Sequence, residues 1–110
     1  MKSKAEIVSN WLTRYTGLPL EGFGSYILLT NFDNYVAHFA KINQVEIVGE
    51  DKAMPNATKD GITIINFGMG SANAATIMDL LSAIKPKAVL FLGKCGGLKK
   101  KINLGDLILP

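Results

Sequence analysis

Ala5, Val8, Trp11, Leu12 and Tyr15 fall at intervals of three, three, one and three, the spacing of a single helix face. Ser3 and Glu6 stand three apart where this stripe begins, the arrangement in which each side chain satisfies the other residue's backbone donor. Gly17 and Pro19 end the helix. The pattern then changes character. "YILLTNF" (Tyr26–Phe32) is a short unbroken apolar run, as expected of a strand covered on both faces. Asp33 stands where it can cap a second helix, 34–42, with Tyr35, Val36, Phe39 and Ile42 facing inward. Val45–Gly49 alternates as a strand does, and Glu50–Asn56 is polar and loop-like. Asp60-Gly61 between two β-prone runs predicts a hairpin.

From Ile62 onward the chain is more specific. "ITIINF" reads as a strand, "GMGSANAATIMDLLSAI" as a turn entering a helix, and "AVLFLG", after the breaker Pro86, as another buried strand. This succession is a βαβ unit, which calls for a parallel pair joined by a right-handed crossover. The intervening helix is apolar nearly all round, with Thr76, Asp79 and Ser82 as its one polar stripe, so it is expected to be mostly buried. The fold class is therefore α/β: an open, mixed and largely parallel sheet flanked by helices. Residues 1–110 read as one domain, with the N-terminal helix within residues 1–17.

Composition narrows the function classes. An apolar fraction of 48% suffices for a packed core. The net charge of +3 is largely Lys99, Lys100 and Lys101, and the few aromatic residues do not interleave with Lys and Arg, which argues against a nucleic-acid partner. A single cysteine allows no internal disulfide and suits a reducing compartment, the cytoplasm. No signal-peptide pattern is visible, and no run approaches the roughly 18 apolar residues of a membrane helix, so no membrane partner is expected. One Cys, one His and no spaced acidic cluster give metal binding no support, and no cofactor is called for.

In open α/β sheets ligands gather at the carboxyl ends of the strands. Three loops meet that rule here: "TNFDN", "GMGSANA" and "GKCGGL". In the second, two glycines and Ser71 stand at a helix start, where free N–H groups favour an anion, although a tight strand-to-helix turn explains the glycines as well. It is not a dinucleotide fingerprint. The third glycine position is Asn73, and no acidic residue follows at the end of the next strand. In the third loop, Gly96-Gly97 permits a concavity of N–H groups and Lys94 adds a compact positive charge suited to phosphate. Cys95 has no nearby histidine to activate it and reads as a small residue in a tight loop. His38 reads as a surface residue, and Asp106 as part of a turn before a strand.

"NFGMGSANAA", a helix, and then "VLFLGKCGGLKKKINLGDLIL" together resemble the nucleoside phosphorylase and nucleosidase family. The basic residue before Cys-Gly-Gly-Leu and the stretch "LLTNFDNYVAHFA" are most similar to the branch that hydrolyses AMP. The resemblance implies cleavage of an N-glycosidic bond, with AMP and water giving adenine and ribose 5-phosphate. Another purine nucleosidase or phosphorylase, or a nucleotide-binding chain without catalysis, is the alternative. By matching position it implies that Asn31 stands at the strand tip leading to phosphate. It implies that Gly70 and Ser71 lie on the phosphate or ribose side. Lys94, Cys95 and Gly96 would run under ribose and base. Two departures favour water over inorganic phosphate as nucleophile: the Gly-Asp-Pro of the phosphorylases is absent, and their arginine two residues before the glycine of the third loop is Phe91 here. The family's general acid and ribose-binding glutamate have no match among the nine acidic residues, so the catalytic residues stay unassigned. The family's enzymes are longer. A chain like this one is therefore expected to be an N-terminal portion, and the resemblance implies a homo-oligomer.

Overall fold

Helix α1, Lys4–Thr16, begins at Ser3, whose hydroxyl accepts from the Glu6 N–H while the Glu6 carboxylate accepts from the Ser3 N–H. Gly17, with φ of 72°, closes it in the left-handed conformation. The computed structural model describes residues 1–110. Val8 and Leu12 are the buried members of the expected stripe, whereas Ala5 and Trp11 lie on the exposed side. After a single 3-10 turn, β1 (Tyr26–Thr30) leads into α2 (Asp33–Asn43). Then come β2 (Asn56–Lys59), β3 (Ile62–Asn66), α3 (Ser71–Leu81) and β4 (Ala88–Leu92).

The sheet order is β2-β3-β1-β4, with β1 parallel to both β3 and β4 and β2 antiparallel to β3. The β2–β3 hairpin turns at Asp60 and Gly61, both at positive φ (51° and 79°), as a two-residue turn matched to strand twist requires. One sheet face, carrying Ile27, Leu29 and Ile65, packs against Leu12 of α1 and Ile77 and Leu81 of α3. The other, through Ile64 and Ala57, packs against Val36 and Ala40 of α2. The class is the expected one, a mixed and mostly parallel open sheet with helices on both faces.

Several local expectations are corrected. β3 and β4 are not neighbours: β1 lies between them, so the crossover through α3 spans two strand positions. Val45–Gly49 forms no strand, only one bridge between Val48 and Asn56. α2 buries Val36 and Ala40, with Tyr35 and Phe39 partly buried against them as expected, but Ile42 is 65% exposed. Asp33 lies in the first turn of α2 and Phe32 is the cap residue, without a side-chain cap. α3 buries only Ile77, Leu80 and Leu81, because a single sheet face supports it and Met78 is left half exposed. β4 is an edge strand, paired on one side only, so Leu90 and Phe91 are about half exposed instead of buried. The expected strand at Asp106–Leu109 is absent; Asp106 closes a turn by accepting from the Asn103 N–H at 2.9 Å.

Candidate functional site

The register of the parallel strands builds the site. Thr30 pairs with Asn66 on one side and with Leu92 on the other, so β1, β3 and β4 end level with one another. Whatever follows each strand emerges at one rim of the sheet, the rim where helix N-termini also gather.

At this rim a cleft of about 430 Å³ lies between the sheet and α3. Asn31, Gly70 and Ser71 line it together with Phe67, Met78 and Phe91. Two of the three expected loops thus meet in one concavity. Gly70 adopts φ 93° and ψ 159°, a region open essentially to glycine alone, and turns the chain into α3. No side chain caps this helix, so its first-turn N–H groups stay available at the cleft. The Oδ1 of Asn31 is buried and has no hydrogen-bond partner within the protein. The opposite wall is apolar and aromatic: Phe67 and Phe91 lie with ring centroids 6.0 Å apart. No acidic or basic side chain lines the cleft.

The third loop takes a different course. Lys94, Cys95 and Gly96 do not line this cleft. The Lys94 ammonium lies 4.4 Å from the centroid of Phe32 and 5.4 Å from that of Tyr35, at the start of α2. Cys95 is an exposed free thiol instead of a packed residue, and a Cβ at Gly96 would meet open space. His38 is exposed, as are Lys99, Lys100 and Lys101. A larger concavity of about 540 Å³ lies away from the rim, between the end of α2 and the segment that follows it, lined by Lys41, Gln44, Glu46 and Glu50. It gathers none of the candidate residues.

Two features of the rim have little signature in the sequence. Asn66 Nδ2 donates to the Asp33 carboxylate, and Asn66 Oδ1 accepts from the Gly68 N–H at 3.0 Å, tying the glycine turn to α2. The pairing of Lys94 with two aromatic rings depends on neighbours far away in the chain. The one available signal is position: Asn66 ends β3, and Asp33 and Lys94 follow the ends of β1 and β4.

A family model of the phosphorylase superfamily matches residues 26–110, the part that holds the sheet, α2, α3 and all three loops. AMP nucleosidase of Escherichia coli (strain K12) is 30% identical over 135 residues, covering 89% of this chain and 28% of that protein. The crystal structure of AMP nucleosidase from Bacteroides thetaiotaomicron VPI-5482 superposes with a TM-score of 0.85 at 67% identity, covering 88% of this chain and 42% of that one. The chain thus spans less than half the length of either relative. With the family match running through the whole sheet and every candidate loop, this chain belongs to the phosphorylase superfamily.

Proposed function

We propose that this chain supplies the nucleotide-facing part of an AMP nucleosidase. The reaction is hydrolysis: the C1′–N9 bond of AMP breaks, water adds its oxygen to C1′, and a proton goes to the departing adenine, leaving ribose 5-phosphate. The observation that carries the reading is the level rim of three strand ends bearing the two glycine loops, in a chain 67% identical to a solved AMP nucleosidase. The uncapped N-terminus of α3 at Gly70 and Ser71 suits the phosphate or ribose side. Asn31 offers a buried acceptor beside it for a donor on the ligand. Lys94 faces the phosphate, and Cys95 and Gly96 run under ribose and base. Phe91 supports water as the nucleophile, because it puts an aromatic ring on the cleft wall where the phosphorylases place a phosphate-binding arginine.

Protonation of the leaving purine contributes about 10²–10⁴-fold in reactions of this kind. No carboxylate lines the cleft. That observation favours a second reading, in which this chain binds nucleotide without catalysis. We further infer that the protein works in the cytoplasm, where the exposed Cys95 thiol stays reduced, and that, like the family it resembles, it forms a homo-oligomer.

Adenine release from AMP, followed by chromatography with and without added phosphate, tests the reading. Release that needs no phosphate is expected. Release that requires phosphate and yields ribose 1,5-bisphosphate means a phosphorylase instead. Nucleotide binding by calorimetry with no adenine formed supports the second reading.

A further inference from the structure

Lys94 follows β4 and Phe32 follows β1, yet the lysine ammonium sits over the Phe32 ring at 4.4 Å and near the Tyr35 ring at 5.4 Å. The two rings are themselves 5.4 Å apart, with planes inclined by 55°, so they form one tilted platform. No carboxylate pairs with Lys94; the ion pairs of the chain are Lys4–Asp79 and Lys52–Asp51. This choice of partner matters. A carboxylate would cancel the charge that an incoming anion is to meet, whereas a ring face attracts the ammonium and leaves its charge intact. The platform also restricts a long, flexible side chain before any ligand arrives, which lowers the ordering cost of binding.

We propose that Phe32 and Tyr35 are positioning residues that hold the Lys94 ammonium ready for the phosphate of the nucleotide. The inference rests on the nucleotide reading above and adds two residues outside the cleft, acting through Lys94 alone. Neither ring needs to touch the ligand.

Two readouts on the full chain test it. The first needs no ligand: ring currents should shift the Lys94 ε-methylene protons upfield in the proton NMR spectrum. Phe32→Leu should remove most of that shift and Phe32→Tyr should keep it. The second is calorimetry with AMP and with adenosine, which lacks the phosphate. Phe32→Leu should weaken AMP binding about two- to fivefold, the scale of an exposed cation–π contact, and leave adenosine binding unchanged. In a Lys94→Ala background the same change should add nothing. Equal weakening for AMP and adenosine would mean that the rings merely support the fold, and would overturn the proposal. An unshifted Lys94 signal in the wild type would overturn it at its source. If the wild type binds neither ligand, the nucleotide reading fails and takes the phosphate assignment with it, while the ring-current shift still decides whether the platform holds the lysine.

Discussion

Asn66 joins two elements with one side chain: its amide donates to the Asp33 carboxylate at the start of α2, and its Oδ1 accepts from the Gly68 N–H at 3.0 Å. The glycine turn that opens α3 is therefore braced from the opposite face of the sheet. Asn66→Ala removes both bonds and should cost about 1–3 kcal/mol, since each is worth roughly 0.5–1.5 net. Asn66→Asp should be worse, because it keeps the acceptor for Gly68 but sets a second carboxylate against Asp33. Adding Asp33→Asn restores a donor–acceptor pair with the roles exchanged. Urea melts of the three variants check this; a double variant no more stable than Asn66→Asp would mean the pair does not act as a unit.

Gly70 sits at φ 93° and ψ 159°, and a Cβ there would meet nothing within 4 Å. Space is available; the backbone conformation is what forbids a side chain. Gly70→Ala should therefore destabilise by about 1–3 kcal/mol, the cost of a side chain in this region. If it relaxes instead, α3's first turn rotates away from the cleft. Calorimetry should then show weaker AMP binding with the melting temperature little changed. An Ala variant that keeps both stability and affinity would remove the turn from the site.

The elements most legible in the sequence are those fixed by neighbours in the chain. Ser3 with Glu6 starts α1, Asp60-Gly61 turns the hairpin, and Gly70 opens α3, each by chemistry contained within a few residues. Strand order is a different matter, because β1 enters between β3 and β4 by long-range pairing that no local pattern encodes. Val45–Gly49 alternates convincingly, yet only Val48 finds a partner: it exchanges both backbone bonds with Asn56, and Gly49 at positive φ then turns the chain away from the sheet. Ala40 and not Ile42 joins the core of α2 because it stands one helical turn, four residues, from the buried Val36, over Ala57 and Ile64. At the site, Asn31, Gly70 and Ser71 converge because strand ends and a helix start fix their places. Lys94 turns to Phe32 and Tyr35, a choice made by side chains from another loop.

Asn56 is wholly buried, and its Nδ2 donates to the carbonyls of Thr16 at 2.8 Å, Met54 at 3.1 Å and Val48 at 3.3 Å. It binds the end of α1 to the segment before β2. Gly49 closes the same junction at φ 73°, where an added Cβ would run into the Thr16 carbonyl. Gly49→Ala combines a left-handed backbone cost with overpacking and should destabilise by about 2–4 kcal/mol. Gly61 is the internal comparison, with φ 79° but open space around it, so Gly61→Ala should cost only the backbone part, about 1–2 kcal/mol. Denaturant melts of both variants separate the two contributions; equal losses would mean the Thr16 carbonyl moves aside freely.

β4 presents its outer edge unpaired, with Leu90 49% and Phe91 54% exposed, and Leu98, Leu104 and Leu107 fully exposed beyond it. An unpaired edge beside apolar side chains is a template for pairing with another chain. Sedimentation velocity of residues 1–110 should therefore show association that grows with concentration. Leu90→Lys places charge on this strand and Leu107→Lys removes an exposed apolar side chain beyond it; together they should shift the distribution toward monomer, because a lysine on an edge strand resists pairing. Far-ultraviolet circular dichroism of the double variant should match the wild type, since neither leucine belongs to the buried core. A wild type that stays monomeric at every concentration would mean that the edge does not join copies of the chain. Association unaffected by both lysines would move the contact to another face, with the half-exposed Met78 of α3 and Trp11 of α1 the next residues to substitute.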